Sequence, residues 1–282
     1  MMGILDRFRK QDVAGDARSD HSAALQLKDF HPLDTGFDKK ILALSEEFGK
    51  MELPDRIPCD RDQFIALLAG VPALRKTPGI PGPGESGADY FTTLPRCASP
   101  EAEAECRAHL KKVFGITDRQ TLLDFCTKEI CCNREYMDFV GFWEGNPPFD
   151  MADLNRKALP YFQEMRDFSA EFYPIVGHAG YLAWDICECM GHLRTGYACG
   201  ILTREELYEM ADYWIAQAQI FKNWAEFAVS VVCGELYWDL RGSSVSGLHM
   251  GFDLWTRLVR TLLNDSNAWG SGMWYEPAGN LS

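Results

Sequence analysis

The sequence predicts an all-α fold, and three observations carry that prediction. Apolar residues recur at three- and four-residue intervals through most of the chain, which lines them up on one face of a helix. Helix-start and helix-stop residues punctuate those stretches. No sustained alternation of apolar and polar residues bounded by hairpin turns occurs. The expected architecture is an irregular multi-helix bundle, one main domain with an N-terminal helical extension. On this reading 1–30 is a flexible N-terminal segment, 31–99 the extension and 100–282 the helical domain.

Residues 11–30 are polar and poor in aromatics, as a flexible lead-in would be. Helical period begins near Asp38, with Ile41, Leu44, Ser45 and Phe48 on one side. A short helix fits 61–69 through Phe64, Ile65, Leu67 and Leu68. The loop at 77–87, "TPGIPGPGESG", holds three prolines and four glycines, too many for a helix or an inner strand. Ser99, Pro100 and Glu101 start a helix: a capping hydroxyl, a proline in the first turn, then an acid at the positive end of the dipole. Cys106, Leu110 and Val113 give it an apolar face.

A helix from Arg119 buries Leu122, Leu123, Cys126 and Ile130, and the stretch 141–148 ends whatever follows. Asp153 is the candidate cap of a helix carrying Leu154, Ala158, Tyr161, Phe162 and Met165. Pro160 inside that pattern predicts a kink or a break. The longest stripe spans 175–199, through Ile175, Ala179, Leu182, Ile186, Met190, Leu193 and Tyr197. Another runs from Glu205 with Leu207, Ala211, Trp214, Ala218, Phe221 and Ala225. The last covers 250–263, with Leu254, Leu258 and Leu262.

One local pattern occurs twice, as "FGITDRQTLL" and as "CGILTREEL". Gly115 and Gly200 stand where a helix ends best on a residue tolerating positive φ. Ile116 and Ile201 follow as apolar plugs. Thr117 with Gln120, and Thr203 with Glu206, read as capping boxes that open the next helix. The repeat is helix punctuation, not a ligand loop.

The formal charge of −13 and pI near 4.9 argue against nucleic acid, which needs clustered Lys and Arg. An acidic surface serves solubility or a basic protein partner. Hydrophobic content of 46% is ample for a buried core, so the ten cysteines read as buried free thiols of a reducing cytoplasm. No apolar run is long enough to span a bilayer. Residues 2–10 offer a short amphipathic stretch, Ile4, Leu5 and Phe8 beside Arg7, Arg9 and Lys10. A frayed terminus is its plainer reading, and no membrane contact is expected.

The segments "FGITDRQTLLDF", "AGYLAWDICECMGHLRTGYACGILTREEL", "NWAEFAVSVVCGELYW" and "NAWGSGMW" occur in that order. Together they resemble the bacterial family catalogued as domain of unknown function 1266. Gly115, Ile116, Asp118 and Arg119 carry the likeness, with Ala183, Trp184, Asp185, Arg194, Gly196, Tyr197 and Gly200. Trp224, Glu226, Phe227, Gly234, Trp238, Trp269 and Trp274 complete it, over roughly 110–275. The resemblance implies a bacterial intracellular helical protein and supplies no activity, cofactor or catalytic residue. After Trp-Asp, Glu188 and two cysteines stand where a basic residue is expected, so no family role is carried onto that position.

Among chemistry-bearing groups, Asp185, Glu188 and His192 share one flank at three- and four-residue spacing, like half of a helical carboxylate metal site. The other half is missing and the order is reversed, so no metal and no cofactor is expected. Cys187 and Cys189 point about 200° apart on a helix and cannot clamp one ion together. His178, Asp185 and His192 recur at seven-residue spacing, roughly 10 Å apart, which suits a polar seam better than a relay. Asp185 borders the apolar stripe and needs a partner, with Arg194, Arg204 or Arg241 the candidates. Trp184, Asp185, Arg194, Trp269 and Trp274 are the candidate binding residues. The two tail indoles read either as exposed anchors or, more plainly, as a clasp closing the bundle. The leading functional expectation is a non-enzymatic protein-binding module, regulatory or partner-neutralising. The alternatives are a small-molecule or metal-dependent enzyme using Asp185, Glu188 and His192, and a membrane-peripheral protein addressed by residues 2–10.

Overall fold

The computed structural model describes residues 33–242 and 245–277, so the stretch 2–10 and the segment 1–30 lie outside the described residues. The first helices are α1 (Phe37–Gly49), α2 (Arg61–Leu68), α3 (Gly70–Leu74), α4 (Pro100–Phe114) and α5 (Arg119–Asp124). A π-helical turn, Phe125–Glu129, extends α5. Then come α6 (Cys132–Trp143), α7 (Ala158–Val176), α8 (Leu182–Ala198), α9 (Arg204–Ala218), α10 (Trp224–Gly242) and α11 (Leu248–Asn264). The fold is all-α. Among the described residues the only extended pairing is parallel, between β1 (Ile57–Pro58) and β2 (Met273–Trp274), with Pro58 opposite Trp274.

At the centre α8 packs between α9 and α10, with α2, α3 and α6 closing around it. Every residue of α8 except Glu188 is buried, which explains an apolar pattern that runs almost all round the helix. α1 packs on α10 and α7. One continuous hydrophobic cluster therefore runs from Phe37 to Trp274 and includes residues of 33–99.

The helix boundaries correct several expectations. The stripe over 175–199 is two helices: α7 ends at Val176, and Gly177 and Gly180 take φ of 50° and 49°, a region that side chains disfavour. Asp153 lies in a short turn and caps nothing in α7. The Asn155 side chain instead accepts from Ala158 N at 2.8 Å and Lys157 N at 3.1 Å. Pro160 then falls in the first turn of α7, where a missing N–H breaks no helical bond, so the expected kink is a start. The run from Glu205 to Ala225 also divides, α9 stopping at Ala218 and α10 beginning at Trp224. Val113 (55% exposed) and Leu254 (43%) face outward, and α11 buries Trp255, Val259 and Leu263 instead of Leu254.

At the second corner Gly200 has φ of 70°, and Thr203 caps α9 through a reciprocal pair with Glu206, at 3.2 and 2.9 Å. The first corner departs by one residue. Asp118 is the cap of α5, accepting from Thr121 N at 2.9 Å while Thr121 Oγ1 accepts from Asp118 N at 3.0 Å. A carboxylate is at least as good a cap as a hydroxyl, so Asp118 displaces Thr117, and Gln120 turns to Asp124 at 3.1 Å.

Candidate functional site

Two cavities flank α8. The first, about 290 Å³, is walled by Arg75, His109, Phe114 and Phe125 together with Trp184, Glu188 and His192 of α8 and Glu235 and Trp238 of α10. The second, about 540 Å³, is walled by Cys126, Asn133, Arg134, Asp185, Met210 and Tyr213, among others. The π-turn divides them, Phe125 facing one and Cys126 the other, and Ile130 touches both. An inserted residue of this kind often marks functional sites in helical proteins.

In the first cavity α10 crosses α8 so that the Trp184 indole lies along the Trp238 ring, 5.1 Å between centroids. Trp184 Nε1 donates to Glu235 Oε2 at 2.7 Å. Glu235 is 8% exposed, and burial pushes its carboxyl up to about 8, with the indole N–H opposing. It is therefore largely neutral at pH 7. Glu188, the one residue of α8 not fully buried, pairs with the Arg75 guanidinium. Burial raises its pKa while Arg75 draws it back. His192 sits edge-on to Phe114 (4.5 Å) and Phe125 (4.7 Å). Burial first, then the charges of Arg75 and His109, push it down to about 3, so its ring is neutral at physiological pH.

Asp185 belongs to the other side. Its two carboxylate oxygens accept from Cys132 N and Asn133 N, each at 3.1 Å. Cys131 provides no side-chain cap for α6, and Asp185 fills that place from another helix. Burial lifts its pKa to about 7, against the pull of those N–H groups. The expected arginine partners are placed elsewhere. Arg204 pairs with Asp62, Arg241 approaches Glu135 at 3.6 Å, and Arg194 lies over the Tyr90 ring at 5.0 Å. Two of the Arg194 guanidinium nitrogens, Nε and Nη2, are buried with no partner among the described residues.

Asp185, Glu188 and His192 are thus not one constellation. Glu188 and His192 share a cavity, and Asp185 faces away from it. His178 lies before α8, exposed, 3.1 Å from Glu144, so the seven-residue seam is not a helical face. Among the described residues no group of three or more His, Cys, Asp or Glu is placed to hold a metal ion. No helix among them is long and apolar enough to cross a membrane.

Trp269 (0% exposed) and Trp274 (1%) are inside. Trp269 stacks on Trp224 at 5.3 Å and donates to Leu67 O at 2.8 Å, while Trp274 donates to Gln219 Oε1 at 2.9 Å. With both N–H groups satisfied and both rings buried, the pair closes the bundle and presents no surface to a partner.

Sequence reasoning missed Glu235, whose neighbours in "CGELYW" give no sign that it faces Trp184. It also missed Glu135, buried between α6 and α10, which accepts from Tyr237 Oη at 2.7 Å and from Cys131 Sγ at 3.4 Å. A glutamate inside an otherwise apolar helical stretch was the available signal for Glu235.

A family model described as protein of unknown function (DUF1266) matches residues 109–275. No curated protein matches the chain, and no solved structure does. The match takes in the α4, α8 and α10 walls of the first cavity, whereas Arg75 lies outside it.

Proposed function

Because the chain belongs to the family described as protein of unknown function (DUF1266), a description that names no reaction, we propose its function from the first cavity: the protein binds a small polar molecule there. Glu235 carries this reading. A buried acid whose recorded partner is one indole N–H is costly unless its cavity is filled by something that uses it. Held neutral, Glu235 is a hydrogen-bond donor, and it calls for a ligand with an acceptor such as a carbonyl, hydroxyl or carboxylate oxygen. The Arg75–Glu188 pair supplies a fixed polar wall, and Trp184 with Trp238 supplies flat apolar surface. A cavity of about 290 Å³ limits the occupant to a small metabolite. His192, with its pKa near 3, is a weak base and serves as wall, not as proton acceptor.

Mass spectrometry of small molecules released from the natively purified protein tests this. A compound enriched with the wild type and lost from folded Glu235→Leu supports the reading. Equal recovery from both, or none from either, overturns it. The same compound titrated from pH 6 to 10 should bind with constant affinity below about 8 and lose about tenfold per unit above it, as the donor proton leaves. Affinity that instead rises through pH 8 would mean that the carboxylate is the binding form.

A further inference from the structure

The first cavity changes character from its inner end to its rim. Inside, Glu235 accepts from the Trp184 indole, and the surface beside it is apolar, from Phe114, Phe125 and Ile130. At the rim stand two exposed cations, Arg75 and Lys76. They follow α3, which lies hard against α8: a Cβ on Gly191 would come within 2.5 Å of Pro72 Cβ, so glycine is what lets the two helices approach this far. Arg75 is then held from two sides. Its guanidinium lies over the buried Trp255 ring of α11, 5.2 Å from the centroid, and Nη2 donates to Glu188 Oε1. Among the described residues neither Nε nor Nη1 of Arg75 has a partner, and no carboxylate pairs with Lys76.

Two cations thus meet one ionised acid, Glu188, across this space, since Glu235 keeps its proton at pH 7. The surplus is one positive charge, in a chain whose formal net charge is −13. Such a local reversal of sign concentrates anions at the rim. His109, half-buried on the same wall, adds a ring N–H donor. Resting on the reading that this cavity holds a small polar molecule, we propose that the molecule is a monocarboxylic acid bearing a carbonyl or hydroxyl group, its carboxylate at Arg75 and Lys76 and its second oxygen at Glu235. A carboxylate is planar and suits the guanidinium nitrogens that Glu188 leaves free. One surplus charge matches a singly charged acid, whereas a phosphate dianion would leave a charge unpaired close to Glu188. An amine would face two like charges. Arg75 and Lys76 precede the matched residues 109–275 and Glu235 lies within them, so the rim and the inner donor come from different parts of the chain.

The test titrates the whole chain by calorimetry at low salt with levulinate and para-hydroxybenzoate, each beside its amide, and with phenyl phosphate and para-hydroxybenzylamine. Each acid should bind ~10-fold tighter than its amide, the worth of one charge-assisted pair. Lys76→Gln, at an exposed position, should weaken the acids ~5-fold and leave the amides unchanged. Glu235→Leu should instead weaken acids and amides alike, so the two variants separate the choice of charge from occupancy of the cavity. If Lys76→Gln leaves the acid preference intact while Glu235→Leu weakens every probe, the acid is overturned and the cavity reading stands. If Glu235→Leu changes nothing, or no probe binds, both fall. An amide or the amine bound as tightly as the acid, or phenyl phosphate bound tighter, also overturns the monocarboxylic acid.

Discussion

Asp185 faces one cavity beside α8 and Glu235 faces the other, and burial lifts both carboxyls, to about 7 and about 8. Their partners differ in kind. Asp185 satisfies two backbone N–H groups at the start of α6, donors that nothing else on that helix end caps. Glu235 accepts from one side-chain indole and fronts the first cavity. A raised pKa therefore says only that an acid is buried. What tells a structural acid from a functional one is which groups would be stranded by its loss.

The largest effect that can break this contrast belongs to Asp185→Ala. It strands two donors at a buried helix end and should cost about 3 kcal/mol in urea unfolding, since each unmet buried group costs roughly 1–3 kcal/mol. A loss below about 1 kcal/mol would mean that water replaces the carboxylate and that Asp185 is not the cap.

Glu235→Gln should act in the opposite direction. In the wild type the folded state keeps a proton up to about pH 8 that the unfolded chain releases near its ordinary value of 4.5. Folded protein then binds more protons than unfolded across that window, so stability falls as pH rises through it. Glutamine keeps an acceptor for Trp184 Nε1 and has no proton to lose. The variant should match the wild type near pH 4 and exceed it by about 2 kcal/mol already at pH 6, read from melting temperatures at both ends. Parallel curves would show that Glu235 is ionised in the folded protein and that the donor role is wrong.

The smallest effect is spectroscopic. His192, wedged between Phe114 and Phe125, should keep constant ring resonances from about pH 5 to 8 in proton–nitrogen NMR spectra, because its titration lies near 3. A midpoint inside that range would mean that water fills the cavity around it, and Glu235 would then lose its low-dielectric setting as well.

Sequence periodicity made the core legible because a helix writes its buried face locally. Leu122, Ile186 and Leu207 needed only their own neighbours to be placed. The corner at Thr203 was equally local, and the one at Thr117 failed only because Asp118 beside it offers a better acceptor. Asp185 could be read as a buried acid needing a partner. Its actual partners are main-chain groups of Cys132 and Asn133, which every sequence contains and no motif marks. Glu235 stood out only as a glutamate in an apolar stretch, since its meaning depends on how α10 lies across α8 and not on any spacing within α10. The tail behaved otherwise. Two tryptophans in a glycine-rich stretch had to be either inside or costly, and burial was the economical choice.

That tail has a consequence for how the chain is made. The Leu67 carbonyl receives its indole partner from Trp269, and Pro58 finds its strand partner in Trp274, each more than 200 residues downstream. Phe64 of α2 likewise waits for the same Trp274 ring, 5.2 Å away in the finished protein. A chain emerging from the ribosome at roughly 5–20 residues per second exposes this apolar surface for ten seconds or more before its cover arrives. Contacts this distant along the chain also form late in refolding, because loop closure must precede them. Among the described helices α2 is thus one of the last to be sealed, and it is where a chaperone would find the nascent chain open longest.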